Sequence, residues 1–92
     1  MNTFNFMRKT PSEINMLIAK RIRTIRKRRK MSQIRLSEKS GVSLGSVKRF
    51  EQSGEISLIS LTKIAIALEI NQELEHLFED VLPLSIKELL GE

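Results

Sequence analysis

A single glycine, Gly41, separates two short stretches of helical apolar spacing, and that corner limits the folds open to the chain more than any other feature. Residues 33–52 read QIRLSEKSGVSLGSVKRFEQ. Glycine interrupts a helical pattern and tolerates the left-handed conformation that ends a helix. Ser32 and Ser43 stand where the two stretches begin, and a serine hydroxyl there can accept a bond from an otherwise unpaired first-turn amide. The pattern predicts a helix from Ser32 to about Lys39, a left-handed corner at Gly41, and a helix from Ser43 to about Gln52. To hold two such helices at an angle, Leu36 must face a core, Val42 must plug the corner, and Val47 and Phe50 must point inward. A small side chain is needed where the helices cross, and Ser37 is small.

The flanking sequence supplies the rest of a core. Thr10-Pro11-Ser12-Glu13 is a helix start, with Thr10 as cap, Pro11 at the first helical position and Glu13 completing a capping box. Ile14, Leu17, Ile18, Ile22 and Ile25 then form one stripe along a helix of about five turns. Ser53-Gly54 reads as a turn. Ser57 opens a fourth helix with Leu58, Leu61, Ile64, Ala65 and Leu68 on one face, and Gln72 to Phe78 reads as a short fifth. Pro83 breaks the chain, and Ser85 to Leu90 can form a last helical turn. Nothing reads as a strand, so the expected fold class is all-α, a five-helix bundle with a short C-terminal extension. Ninety-two residues suit one such domain. Its expected bounds are an N-terminal arm over 1–10, with Phe4 and Phe6 alternating, a folded domain over 11–78, and a tail over 79–92.

The net charge of +5 is unevenly spread. Residues 1–50 carry 14 Lys/Arg against 2 Glu, and residues 51–92 carry 2 Lys against 9 Asp/Glu, so the halves stand at +12 and −7. Such asymmetry suggests a half that binds a polyanion and a half that does not. Cationic residues also suit a helix C-terminus, which gives the run Arg26 to Lys30 a structural explanation as well. Trp and Tyr are absent and only four Phe occur, which argues against a single-strand binder built on aromatic stacking. With no cysteine there is no disulfide or thiolate metal site. His76, the only histidine, sits beside Glu75 on an acidic stretch and reads as an exposed residue rather than a base or ligand. No nucleophile motif or Gly-rich phosphate loop occurs, and the serines fall where caps are needed, so no catalysis, metal or cofactor is expected. No apolar run approaches the roughly 18 residues of a membrane span, and the N-terminus lacks a secretory apolar region, so a soluble cytoplasmic protein is expected.

Two short helices joined through a tight glycine corner are the helix-turn-helix layout. Residues 14–70 resemble the Cro/phage-repressor (Xre-like) family, whose domain is lambda repressor-like. The resemblance rests on Ile22-Arg23, Arg26-Lys27, Ser32-Gln33, Leu36, Ser40-Gly41-Val42-Ser43, Val47, Phe50-Glu51, Ser57-Leu58, Leu61, Lys63-Ile64-Ala65 and Ala67-Leu68. Ser37 departs slightly from it, since alanine is the common residue there. The resemblance implies a transcriptional regulator of double-stranded DNA whose third helix enters the major groove. The base-reading candidates it implies are Gln33, Ser43, Leu44, Gly45, Lys48 and Arg49. Arg49 can bond guanine O6 and N7, and Leu44 can meet a thymine methyl. Lys48 suits a phosphate, and Ser43 can cap and contact at once. Gly45 reads nothing itself, and either lets the helix approach closely or simply weakens it. Phosphate candidates are Arg23, Lys27, Arg28, Arg29, Lys30, Arg35 and Ser46. The resemblance also implies a structural ion pair between Arg26 and Glu51.

Members of the family usually bind as two-fold dimers on near-palindromic operators. The surplus apolar residues Ile59, Ile66, Ile70, Leu74, Leu77 and Phe78, with Val81 and Leu82, are the candidate homodimer surface; the alternative is that this segment wraps its own core. The stretch Gly41 to Leu68 also resembles antitoxin-like repressors of HipB type, which pair with a kinase-fold toxin. On that alternative, residues 79–92 are candidates for holding the toxin. An alternative of another class is a protein-interaction or anionic-surface-binding module using the basic helix, although the apolar stripe of that helix has a core to join.

Overall fold

The computed structural model describes residues 8–81 and Gly91. The described residues form five helices and no strand: α1 Pro11–Arg28, α2 Gln33–Ser40, α3 Leu44–Ser53, α4 Leu58–Ala67 and α5 Asn71–Glu75. The expected all-α architecture is the one observed. Residues 1–7 of the expected arm, Leu82 and the helical turn over 85–90 lie outside the described residues.

Each of the first four helices starts on local chemistry. Thr10 Oγ1 accepts from the Glu13 amide at 3.1 Å while the Thr10 amide donates to Glu13 Oε1 at 3.1 Å, a reciprocal box. Ser32, Ser43 and Ser57 accept from the amides of Arg35, Ser46 and Ser60. Helix ends are of two kinds. Gly41 and Gly54 stop α2 and α3 at φ 78° and 79°. Lys30 and Glu69 take the same left-handed region, at φ 55° and 61°, although neither is a glycine. Their closures match in form. Lys30 N–H donates to the Lys27 carbonyl and Met31 N–H to that of Arg26; Glu69 and Ile70 donate likewise to Ile66 and Ala65. These paired bonds satisfy carbonyls that a helix end leaves open.

The core gathers Ala19 and Ile22 of α1, Leu36 of α2, Val42 of the corner, Val47 and Phe50 of α3, and Ile64, Ala67 and Leu68 of the α4 region. Ile25, Met31, Ile56, Leu61 and Ile70 pack against its edge. α1 lies chiefly on α3, so that short helix rests on a long one. Gly54 marks the closest approach: a Cβ there would stand 2.7 Å from the Asn15 carbonyl carbon. At the corner, the Ser37 hydroxyl donates to the Val42 carbonyl at 2.6 Å, which an alanine at that position could not do.

Several expectations are corrected. Ile14 and Ile18, assigned to the buried stripe of α1, are 47% and 38% exposed, and Leu58 is 71% exposed. Ile18 and Leu58 line an open depression with Phe50, Ile56 and Leu61 rather than a closed core. Ala19, absent from that reading, is fully buried. α5 starts at Asn71 and ends at Glu75, short of Phe78, because Phe78 takes a left-handed φ of 64° and leaves the helical path. Of the candidate dimer residues, Ile70 packs on the edge of the core and Leu74 is half-buried.

Candidate nucleic-acid interface

α3 has one side in the core and the other in solvent. Val47 and Phe50 are buried, which at 100° per residue turns Gly45, Lys48, Arg49 and Gln52 outward. Ser43, Gly45, Ser46, Lys48 and Arg49 are all exposed, and a Cβ added at Gly45 would meet nothing within 4 Å. Leu44 is half-buried, so only part of it is open to a ligand. The Ser43 hydroxyl donates to Ser46 Oγ at 2.9 Å and accepts from the Ser46 amide at 3.2 Å. These two serines therefore brace each other at the helix start. Gln52 shares the outward arc at the far end and was not singled out from sequence; helical phase was the signal available.

The cations of α1 do not act as one block. Arg26 is buried at 7% exposure and turned inward. Arg23 and Lys27 fall on one flank by helical phase, and Arg23 Nε stands 3.9 Å from Glu51 of α3; Lys30 lies past the helix end, exposed. Arg28 turns to the opposite flank, where it lines a shallow depression with Leu17, Lys20, Arg21, Thr24 and Ile25. Arg29 Nη1 lies 3.6 Å from Glu69 Oε2, an exposed pair of small energetic weight. Arg35 is exposed on α2. Of the phosphate candidates on α1, then, Arg23 and Lys27 share the flank nearest α3, and Arg28 does not. Beside Arg49, a second depression is lined by Ser46, Glu55, Ile56, Ser57 and Ser60. Ser57 and Ser60 were not read from sequence as site residues.

A buried polar cluster ties these parts together. Arg26 Nε donates to Glu51 Oε2 at 2.7 Å and Arg26 Nη2 to Glu51 Oε1 at 2.9 Å, a two-pronged pair between α1 and α3. Arg26 Nη1 donates to the Met31 carbonyl at 2.7 Å. Gln33 Nε2, from the first position of α2, donates to Glu51 Oε1 at 3.0 Å. Burial alone would raise the pKa of Glu51, but hydrogen bonds from Arg26 and Gln33, with the charges of Arg26 and Arg23, outweigh it and hold the carboxyl below its usual range. The cluster leaves no buried side-chain polar atom unpaired among the described residues. Gln33, a base-reading candidate, is half-buried with one end of its amide committed to Glu51.

Chemically, the surface offers cations, hydroxyls and an amide around a protruding helix, which suits a polyanion with readable edges. Among the described residues no group of His, Asp or Glu could hold a metal ion. No helix of the described residues is long and apolar enough to cross a membrane. A family model described as helix-turn-helix matches residues 22–71, more than half of the chain. That span runs from the buried part of α1 to the start of α5 and takes in the whole polar cluster. No curated protein and no solved structure matches the chain.

Proposed function

The chain belongs to the helix-turn-helix family of Cro/phage-repressor (Xre-like) type, a family of DNA-binding regulators, and we propose that it is a sequence-specific repressor that covers a near-palindromic operator as a dimer. One observation carries the reading: α3 buries Val47 and Phe50 and holds Ser43, Gly45, Lys48 and Arg49 outward on the same short helix. Base readout belongs to α3 with Gln33, and phosphate contact to Arg23, Lys27, Lys30 and Arg35. Repression then follows from occlusion of the site.

Selection of bound duplexes from genomic fragments at moderate salt tests this. The expected result is one enriched motif with two half-sites about one helical turn, roughly 34 Å, apart. Arg49→Ala is expected to erase the preference at one position per half-site, worth about tenfold. Lys27→Ala is expected to weaken all sequences alike and flatten the salt dependence by roughly one counterion. Retention of bulk DNA with no preferred sequence would reject the reading.

The dimer rests on exposed apolar residues of the acidic half. Ile59 and Ile66 stand two turns apart on α4 at 66% and 58% exposure, with Leu77, Phe78 and Val81 also open. The alignment of Ile59 and Ile66 supports a two-fold contact through this half of the chain. The double variant Ile59→Glu/Ile66→Glu is expected to sediment as a monomer with unchanged helix content. A dimer that persists in that variant would move the contact elsewhere.

A further inference from the structure

Gln33 reaches a duplex, on the reading just given, with one end of its amide already taken. Which end is a matter of chemistry rather than of packing. Glu51 is ionised across the ordinary pH range, because Arg26, Gln33 and Arg23 hold its carboxyl low. An ionised carboxylate only accepts hydrogen bonds. Gln33 must therefore turn its NH2 to Glu51 Oε1, as observed at 3.0 Å, since the flipped amide would set oxygen against oxygen. Its Oε1 has no hydrogen bond to any described residue, and it is not among buried unpaired atoms, so it is open to solvent. Leu44 and Lys48 precede Glu51 by seven and three residues and share its side of α3 by helical phase. The pinned amide thus stands at the edge of the outward row.

From this we infer that Glu51 is a specificity-positioning residue: by holding the NH2 of Gln33 it fixes a carbonyl oxygen toward the duplex, so that Gln33 selects a base that carries an amino group in the major groove. The inference rests on the proposed DNA-reading role. Adenine N6 and cytosine N4 present such a donor, whereas guanine and thymine present acceptors at the equivalent place. A free glutamine could serve either kind by flipping; a pinned one cannot. Glu51 acts here through Gln33 and need not touch the nucleic acid.

The test is selection from a randomised duplex library with the full chain, Glu51→Gln, Gln33→Met and the double variant. A glutamine at 51 can still accept from Arg26 but turns its own NH2 toward Gln33, which then flips. The expected result is a single position per half-site where preference for adenine or cytosine drops about tenfold in Glu51→Gln. That preference is also lost in Gln33→Met, and Glu51→Gln adds nothing there in the Gln33→Met background. A merely structural Glu51 would instead lower affinity at all positions alike, which overturns the inference. So does a shift at that position that survives in the Gln33→Met background. If the unmodified chain yields no motif, the proposed function falls and this inference with it; a motif without the Glu51-linked position sinks the inference alone. Should Glu51→Gln not fold, the unmodified chain answers by amide NMR. One Gln33 side-chain proton is then expected to be shifted downfield and slow to exchange at neutral pH. Two protons behaving as a free carboxamide would overturn the inference.

Discussion

Arg26→Ala is expected to lower the melting temperature by about 15 °C or more, while Lys27→Ala, its neighbour in the same basic run, changes it by only a few degrees. The two residues carry like charge and differ in surroundings. Arg26 is 7% exposed and gives three hydrogen bonds, two to Glu51 and one to the Met31 carbonyl. Its removal strands a buried carboxylate and a carbonyl, a loss of about 3–5 kcal/mol when one partner of a buried pair is deleted. Lys27 is exposed, and surface changes of that kind fall within about 0.5 kcal/mol. The gap has a pH signature. In the intact chain the Glu51 pKa is lowered on folding, so its contribution is present above the ordinary carboxyl range and is lost as pH falls through the folded value. In Arg26→Ala the same carboxyl is buried without its partner, so its pKa rises and protonation relieves the variant. The two melting curves should therefore converge on acidification below about pH 4.5. Equal melting temperatures at neutral pH would show that the pair does not hold α1 to α3.

Gly54→Ala is expected to be far more damaging than Gly41→Ala, although both glycines are left-handed, at φ 79° and 78°. An alanine forced into that region costs about 1–2 kcal/mol at either site. At Gly41 nothing lies within 4 Å of the added Cβ, so the cost should stop there. At Gly54 the Cβ would meet the Asn15 carbonyl carbon at 2.7 Å, Asn15 Cβ at 2.9 Å and the Met16 nitrogen at 2.9 Å. Two of those three atoms are backbone, so α1 must shift away from α3 as a body. Overpacking of this kind adds about 1–3 kcal/mol. Urea midpoints read the contrast directly. If the two variants unfold at the same denaturant concentration, the contact between α1 and the end of α3 is not a tight one.

How far the sequence could be read follows from where each instruction is written. Helix starts were legible because a threonine or serine, its amide partner and the first turn lie within four residues of one another. The corner at Gly41 and the stop at Gly54 were legible because glycine is the cheap residue for that conformation. The stops at Lys30 and Glu69 were not, since lysine and glutamate carry no such mark; the paired closing bonds there, with Met31 and Ile70 set against the core, fix the turn instead. Helical phase found the inner face of α1 but not its extent. Ile14 and Ile18 share the phase of Ile22, yet only the neighbouring helices decide how much of the stripe is covered. The same limit applies to α5, where Leu77 and Phe78 continue the apolar pattern after the backbone has left the helix. At the candidate interface, the outward residues of α3 follow from phase once Val47 and Phe50 are turned inward. The tie from Gln33 to Glu51 spans 18 positions and two helices, and no local pattern announces it.

The segment from Ser43 to Gly54 is bounded at both ends by its own start and stop, and its inward face is confined to Val47, Phe50 and Glu51. What is exposed between those bounds bears little on whether the chain folds. Gly45, Lys48, Arg49 and Gln52 are in that sense a replaceable typeface on a fixed press. On the proposed DNA-reading role, a few outward substitutions there would change the target and leave the fold beneath them untouched.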